Sequence, residues 1–219
     1  MTGGDVPGGD VTDDDVTLVA IVGGSASGKT RLAYAIADAI PGAYVIKEDD
    51  YYLDATLLDD FDPATFNFDE PASKEHDRLI ADLKSLKAGH SVDIPQYDFA
   101  THSRHAETLH CEPAPVIIVE GLHAVASPEL ADLFDLIIYV SATRPVRFER
   151  RLKRDVAERG RTPESVRHQF DTIVEPMHTQ HVEPQKPGAD LIITNMGPPD
   201  FEGMARPVLE RLRRQVSGR

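Results

Sequence analysis

Residues 23–30 combine glycines, a lysine and a threonine at the spacing that proteins use to hold phosphate groups. They read Gly-Gly-Ser-Ala-Ser-Gly-Lys-Thr, which fits the pattern G-x-x-x-x-G-K-[ST]. Glycines let successive backbone N–H groups turn toward phosphate oxygens, and a following helix N-terminus adds partial positive charge. Lys29 is expected to reach the β- and γ-phosphates, and the Thr30 hydroxyl to hold Mg²⁺. The segment predicts that a nucleoside triphosphate binds at Gly23, Gly24, Ser25, Ala26, Ser27, Gly28, Lys29 and Thr30.

Carboxylates follow two further apolar runs of the chain. Glu120 comes directly after the run 116–119, and Asp49 and Asp50 come shortly after the run 43–46. Ligands bind at the carboxyl ends of the strands in parallel sheets, so these acids are expected near the triphosphate. Glu120 can orient Mg²⁺, directly or through water, and a carboxylate at 49 or 50 can accept the proton of an attacking hydroxyl. The alternative for each is a solvated acid at a strand end.

The elements that must position these residues alternate along the chain. Short apolar runs alternate with helical patterns, which predicts an α/β fold with a parallel sheet flanked by helices. We expect strands at 16–22, 43–46, 116–119, 136–140 and 191–193, and helices at 31–40, 74–88, from 145, from 163 towards 180, and 201–216. The length fits one domain over 16–219, preceded by an acidic, disordered tail at 1–15.

The composition excludes several classes of protein. The net charge of −14 argues against general nucleic-acid binding, and no apolar run approaches the length of a membrane span. Cys111 stands alone, so there is no disulfide framework and we expect a cytoplasmic location. The acidity fits either an ordinary acidic enzyme or adaptation to high salt, where a dense carboxylate surface stays hydrated and its self-repulsion is screened.

The positive charge is concentrated in one segment. Residues 144–161 hold eight basic and three acidic side chains, a net charge of +5, which leaves −19 for the rest of the chain. A basic segment on an acidic protein indicates an anionic partner. A solvated helix face is the alternative interpretation.

Seven motifs, in order and with matching spacing, resemble the uridine kinase (uridine/cytidine kinase) family over roughly residues 16–194. They are Glu-Asp-Asp-Tyr-Tyr at 48–52, Phe-Asn-Phe-Asp-Glu-Pro at 66–71, the run from 94 to 104, Val-Glu-Gly at 119–121, Arg-Arg-Leu-Lys-Arg-Asp at 150–155, Glu-Arg-Gly-Arg at 158–161, and Glu-Pro-Gln-Lys with Ala-Asp at 183–190. The resemblance implies a P-loop NTPase-type fold with a helical lid at about 144–163 and a nucleoside-binding insertion at about 50–110. It also implies a homo-oligomer.

The activity implied by this resemblance is transfer of the ATP γ-phosphoryl group to the 5′-hydroxyl of uridine or cytidine, with Mg²⁺, giving UMP or CMP in pyrimidine salvage. Asp49 matches the family's catalytic base, acting with Lys29 and Arg154. Asp69 matches the carboxylate that grips the ribose hydroxyls. Other acceptor-binding positions match Phe68, Tyr97, Phe99, His102, Arg151, Arg161 and Gln169, and the lid arginines near the phosphates match Arg154 and Arg159. Thr30 and Glu120 are the expected metal ligands.

Two other functions stay open on the sequence. Phosphoribulokinases are a sister family that shares the P-loop and the Glu120-Gly121 position, and Glu120-Gly-Leu-His123 leans toward them and a sugar or sugar-phosphate acceptor. The segment 97–104 leans toward uridine kinase instead. A regulatory nucleotide-binding protein that hydrolyses little is the other alternative, although Asp49 and the lid arginines are present. Residues 197–199 depart from the expected adenine-site pattern, which leaves ATP and GTP both open as donors.

Overall fold

The computed structural model describes residues 16–62, 66–198 and 200–217, with side chains as far as residue 214. Its strands are β1 (Thr17–Val22), β2 (Tyr44–Lys47), β3 (Val92–Ile94), β4 (Tyr97–Asp98), β5 (Ser103–Arg104), β6 (Leu109–Cys111), β7 (Val116–Gly121), β8 (Leu136–Ser141) and β9 (Leu191–Thr194). Its helices are α1 (Lys29–Asp38), α2 (His76–Lys87), α3 (Pro128–Ala131), α4 (Arg144–Arg159), α5 (Pro163–Gln169), α6 (Glu175–Met177) and α7 (Phe201–Ser217).

A parallel sheet with the strand order β2-β7-β1-β8-β9 forms the centre of the fold. Every residue of β1 and β7 is buried, because helices cover both faces of the sheet, and this explains their nearly continuous apolar sequences. One face packs Leu18 and Ile117 with α2, and the other packs Val19 and Ile118 with α1 and α7. The predicted α/β class, with its parallel sheet and flanking helices, is confirmed.

The strand order decides which loops meet. Because β7 lies between β1 and β2, the carboxyl ends of these three strands are neighbours at one edge of the sheet. The phosphate-binding segment leaves β1, the acidic turn Glu48–Tyr51 leaves β2, and Glu120 lies at the end of β7. In the register of β2 and β7, Lys47 pairs with Glu120. The topology therefore gathers three chemically active segments that are far apart in sequence.

Two predicted helices differ in detail from the observed ones. The helix expected from residue 74 begins at His76, because Lys74 is extended and forms an isolated antiparallel bridge with Tyr52. The helix expected from 163 towards 180 is α-helical as far as Gln169, and then continues to Val182 as two π-type segments separated by the short helix α6. Pro176 lies within this stretch and has no N–H to donate to the preceding turn, so a regular α-helix is interrupted there.

The two long connections outside the main sheet, from α2 to β7 and from β8 to β9, have different architectures. Between α2 and β7, two small antiparallel pairs, β3 with β6 and β4 with β5, lie outside the main sheet. After β8, the basic helix α4 packs against α5 and then returns through the π-type turns to β9. Within the described ranges, no helix combines the length and the apolarity that a membrane crossing requires.

Candidate active site

The phosphate-binding segment forms a tight turn between β1 and α1 that glycine makes sterically possible. Gly28 has a φ of 99°, and a Cβ on it would lie 2.5 Å from the Asn195 side-chain nitrogen. Gly23 has a φ of 146°, and its Cβ would lie 2.5 Å from the Val140 carbonyl oxygen. These contacts leave no room for a side chain at either position. The turn is braced from outside, since Asn195 Nδ2 donates to the Ser27 carbonyl oxygen at 2.8 Å.

The turn Glu48–Tyr51 brings Asp49 to the cleft beside a buried lysine. Lys74 Nζ donates to Asp49 Oδ1 at 2.8 Å, while 36% of the Asp49 side chain remains accessible. Burial of the carboxyl would raise its pKa, but the charges of Lys74 and Lys29 outweigh that effect and hold the pKa of Asp49 below its usual range. Asp49 is therefore ionised at neutral pH and can accept a hydrogen bond from a hydroxyl group.

Glu48 lies behind Asp49 and is completely buried. Its Oε2 atom accepts from Lys74 Nζ at 3.0 Å and from the His123 backbone N–H at 2.9 Å, and its Oε1 atom lies 2.8 Å from His76 Nε2. Burial would raise the pKa of Glu48, yet the Lys74 charge and the His76 hydrogen bond keep it well below the ordinary value. The carboxylate fills the space beside Gly121, where a Cβ would lie 1.9 Å from Oε2.

Asp69 enters the same cleft from the loop before α2. It is 9% exposed, and burial raises the pKa of this carboxyl against the opposing charges of Arg151 and Lys74. His123 Nε2 donates to the Asp69 carbonyl oxygen at 2.9 Å, which fixes the backbone of this loop. Burial lowers the pKa of His123 to about 4, so the ring is neutral and carries its proton on Nε2. Two loops thus present carboxylates to one space.

Aromatic rings form the wall next to these carboxylates. Tyr52 lies edge-on to Phe68 and Phe99, with ring centroids 5.7 Å and 6.3 Å away, and Phe68 stacks on His102 at 4.9 Å. His102 has a φ of 56°. Within the described residues, its buried Nδ1 atom has no hydrogen-bond partner. Tyr97 packs against Tyr52 at 5.1 Å and lies behind the wall, outside the lining of the cleft.

Four arginines of the basic segment 144–161 converge on one buried carboxylate, Asp155. The exposure of the Asp155 side chain is 0%, and its oxygens lie 2.8 to 3.7 Å from Arg151, Arg154, Arg159 and Arg161. One negative charge cannot neutralise four guanidinium groups, so the cluster keeps a strong positive potential toward the cleft.

The basic segment 144–161, the expected lid, is bonded to the phosphate-binding segment in this structure. Arg151 donates from NH1 to the Ser25 hydroxyl at 2.7 Å and from NH2 to Gln169 Oε1 at 2.9 Å. Arg161 also donates to Gln169 Oε1. Arg159 lies above the Phe99 ring at 5.8 Å and so reaches the opposite wall.

Thr30 and Glu120 are suitable ligands for Mg²⁺. Burial raises the pKa of Glu120 to about 7, against the lowering effects of the Lys29 charge and the nearby Thr30 side chain. Within the part of the chain that the structure describes, the buried Oε2 atom of Glu120 has no hydrogen-bond partner. A buried carboxylate oxygen beside a hydroxyl matches the hard oxygen donors that Mg²⁺ prefers. The described residues contain no cluster of three or more histidine, cysteine or acidic side chains arranged for a metal.

These groups line one cleft of about 1190 Å³. Of the residues expected from the sequence, the lining includes Ser25, Lys29, Thr30, Asp49, Phe68, Asp69, Phe99, His102, Glu120, Arg151, Arg154, Arg159, Arg161 and Gln169. Gly23, Gly24, Ala26, Ser27 and Gly28 form the turn beneath it, and Tyr97 supports the aromatic wall. The triphosphate-binding and acceptor-binding candidates are therefore the two sides of a single space.

Three residues that organise this cleft were not among the sequence candidates: Lys74, His123 and Asp155. Lys74 and His123 make their contacts with residues 25 to 75 positions away, and no local pattern reveals such pairs. Asp155 is four residues from both Arg151 and Arg159, so the helical spacing of unlike charges was a usable signal.

Known proteins resemble this chain over most of its length. A family model described as Phosphoribulokinase / Uridine kinase family matches residues 18–202. A uridine kinase of Staphylococcus haemolyticus (strain JCSC1435) is 42% identical over 185 residues, which is 84% of this chain and 89% of that protein. A uridine kinase of Lactococcus lactis subsp. cremoris (strain MG1363) is 43% identical over 178 residues, covering 80% of this chain and 86% of that protein.

The fold also resembles a solved structure of lower sequence similarity. A putative fructose transport system kinase from Silicibacter sp. TM1040 aligns with a TM-score of 0.66 at 21% identity, over 81% of this chain and 89% of that one.

Proposed function

The chain belongs to the phosphoribulokinase / uridine kinase family and is a kinase, and we propose that it transfers the γ-phosphoryl group of ATP to the 5′-hydroxyl of uridine or cytidine. The products are UMP or CMP and the nucleoside diphosphate of the donor, a reaction of pyrimidine salvage. The observation that carries this proposal is that Asp49 and Asp69, from two different loops, line the same cleft as Lys29.

Asp49 acts as the base in this proposal. Ionised beside Lys74, it accepts a hydrogen bond from the 5′-hydroxyl and takes its proton as the oxygen attacks the γ-phosphorus. The bond from that phosphorus to the leaving oxygen breaks, and the diphosphate carries the electron pair away. Lys29, Arg154 and Arg159 stabilise the negative charge that spreads over the transferring group. When bound, Mg²⁺ held by Thr30 and Glu120 neutralises phosphate charge.

Asp69 and the aromatic wall orient the acceptor. A single carboxylate can accept hydrogen bonds from both hydroxyls of a ribose, and such charge-assisted bonds are relatively strong. Phe68 and Phe99 offer flat faces to a pyrimidine, and the buried Nδ1 of His102 offers a hydrogen-bonding atom to its edge. Arg151, Arg161 and Gln169 complete the acceptor side, and Tyr97 supports the wall from behind. The residues at about 50–110 thereby act as the acceptor insertion, and those at about 144–163 as the lid.

A sugar phosphate is the second acceptor class, and the wall argues against it. The wall near Asp69 presents the rings of Tyr52, Phe68 and Phe99, and a flat base packs against such rings better than a phosphate does. Arg151 bonds Ser25 on the side of the expected triphosphate, but Arg159 lies over Phe99, so the preference for a nucleoside rests on the rings and not on a lack of positive charge. A nucleoside, with one flat base and one diol, matches both halves of the acceptor surface.

The test is a screen of acceptors with purified protein and Mg²⁺. Uridine, cytidine, adenosine, guanosine and ribulose 5-phosphate are each incubated with ATP, and separately with GTP, and products are identified by mass spectrometry. We expect phosphorylation of uridine or cytidine and not of purine nucleosides. Activity confined to ribulose 5-phosphate would overturn the assignment, and hydrolysis or binding of ATP without any acceptor product would favour the regulatory alternative.

A further inference from the structure

A buried lysine, Lys74, lies at the centre of the acceptor side. The Lys74 side chain is 0% exposed, and its ammonium lies 2.8 Å from Asp49 Oδ1 and 3.0 Å from Glu48 Oε2. It also lies 4.6 Å from the centroid of the Tyr52 ring, which covers it from one side. Because Lys74 does not line the cleft, it cannot contact either substrate directly. Whatever it contributes to the reaction must pass through the carboxylates that it touches.

The position of this ammonium is determined by Glu48. Three donors hold Glu48: the His123 backbone N–H, the His76 ring and the Lys74 ammonium, all at 2.8 to 3.0 Å. Gly121 leaves the space that this carboxylate occupies. Burying two charges is costly unless they are paired with good geometry and further hydrogen bonds. The buried pair therefore has one defined arrangement, and Asp49 is attached to it.

The same pair is connected to the second acceptor carboxylate. His123 donates its backbone N–H to Glu48, and its ring donates to the Asp69 carbonyl oxygen at 2.9 Å. The loop that carries Asp69 and the turn that carries Asp49 are thus joined through one buried unit, although they approach the cleft from different parts of the chain. A displacement of Glu48 or Lys74 would move the proposed base relative to the residue that grips the ribose.

We propose that Lys74 is a positioning residue for phosphoryl transfer. Its ammonium, anchored by Glu48, holds one oxygen of Asp49 in place, so that the accessible part of the Asp49 carboxylate meets the acceptor hydroxyl. The inference rests on the proposed function, since it presupposes that Asp49 is the base. Lys74 supplies orientation rather than affinity, because ribose binding belongs to Asp69 and triphosphate binding to the P-loop. A misplacement of about 1 Å in such a group is enough to slow catalysis by about 100-fold.

The decisive variant is Glu48→Gln/Lys74→Met, which removes both buried charges together and leaves the net charge unchanged. A buried pair replaced by neutral groups of similar volume is often tolerated, whereas a buried charge left without any partner is not. Lys84→Met/Glu129→Gln is the matched control, since it removes an exposed pair that joins α2 to α3. For each protein, kcat and both KM values are measured with the acceptor that wild type uses, and thermal melts and ATP binding are recorded.

We expect kcat of the buried double variant to fall by about 10- to 100-fold, with the KM for ATP unchanged and the KM for the acceptor altered by less than about threefold. Glu48→Gln alone keeps the Lys74–Asp49 contact, so its kcat should exceed that of the double variant by at least about tenfold. The exposed control should match wild type. A loss confined to KM, or to stability, would indicate a structural role only.

A folded double variant with kcat within twofold of wild type would overturn the proposal. If that variant does not fold, Glu48→Gln/Lys74→Gln replaces it, with the same criterion applied to kcat. Failure of the proposed function is a separate outcome: it shows as a wild-type protein that phosphorylates neither uridine nor cytidine. In that case the kinetic comparison is made with whichever acceptor the screen identifies.

Discussion

His123 provides a test of the buried network that does not depend on any substrate. The side chain is 0% exposed, and burial lowers its pKa from 6.5 to about 4. When the pKa of a group is lower in the folded state than in the unfolded state, the unfolded chain binds the proton more readily. The protein therefore loses stability as the pH falls from the unfolded-state pKa toward the folded-state pKa. For a histidine this means that stability is fully present above about pH 6.5 and is lost toward about pH 4.

The size of the effect follows from these two values. For one proton with pKa values of about 4 folded and 6.5 unfolded, linkage gives a loss of about 1.3 kcal/mol between pH 7.5 and pH 5.5. That range stays above the more acidic pH at which a chain of net charge −14 approaches neutrality and aggregates. His123→Gln removes the titration while its amide can still donate to the Asp69 carbonyl oxygen.

The assay is urea unfolding of wild type and His123→Gln at pH 7.5, 6.5 and 5.5. We expect the free energy of unfolding of wild type, relative to that of the variant, to decline by about 1.3 kcal/mol over this range. His90→Gln, at an exposed position after α2, controls for the replacement of a histidine as such. A difference between wild type and His123→Gln that stays constant within about 0.3 kcal/mol, well below the linkage value, would refute the assignment of a neutral, buried His123.

Four further perturbations address the site and the surface. Asp49→Asn should lower kcat by at least about 100-fold while ATP affinity, measured by calorimetry, stays within about threefold of wild type; full turnover would exclude Asp49 as the base. Asp155→Asn leaves four arginines without their shared carboxylate, so we expect a loss of stability on the order of 3 kcal/mol in urea unfolding and a lower kcat, and an unchanged protein would show that the arginines are held otherwise. Gly121→Ala places a Cβ 1.9 Å from Glu48 Oε2 and should cost about 2 kcal/mol together with part of kcat, whereas a neutral result would mean that Glu48 moves freely. If the acidic surface is an adaptation to salt, the melting midpoint should rise by on the order of 5 °C between 0.1 M and 2 M KCl; a flat series would favour the ordinary acidic enzyme.

The parts of the fold that depend on local pattern were predictable from the sequence. Apolar runs and glycine spacing gave the strands of the sheet and the segment 23–30, because burial on both faces and phosphate binding each impose a pattern on neighbouring residues. The placement of Asp49 and Glu120 at strand ends followed from the same reasoning. The parallel order that brings those ends together is a general property of such sheets.

The connections between segments were not predictable in this way. Lys74 belongs to a helical pattern in the sequence, yet it lies before α2 because its ammonium pairs with carboxylates 25 and 26 residues upstream. Tyr97 matches an acceptor-binding position of the resembled family, but it packs behind Tyr52. Both outcomes are set by tertiary contacts, which single-sequence periodicity does not contain.

The arginines gathered around Asp155 have a kinetic consequence. Far from the surface, a triphosphate meets a protein of net charge −14 and is repelled; within roughly one Debye length, about 10 Å at 0.1 M salt, it meets the excess positive charge of the lid. Salt screens the distant repulsion more effectively than the short-range attraction. The association rate of the triphosphate should therefore increase with ionic strength, the reverse of ordinary steering, in which an oppositely charged protein captures its ligand fastest in dilute buffer.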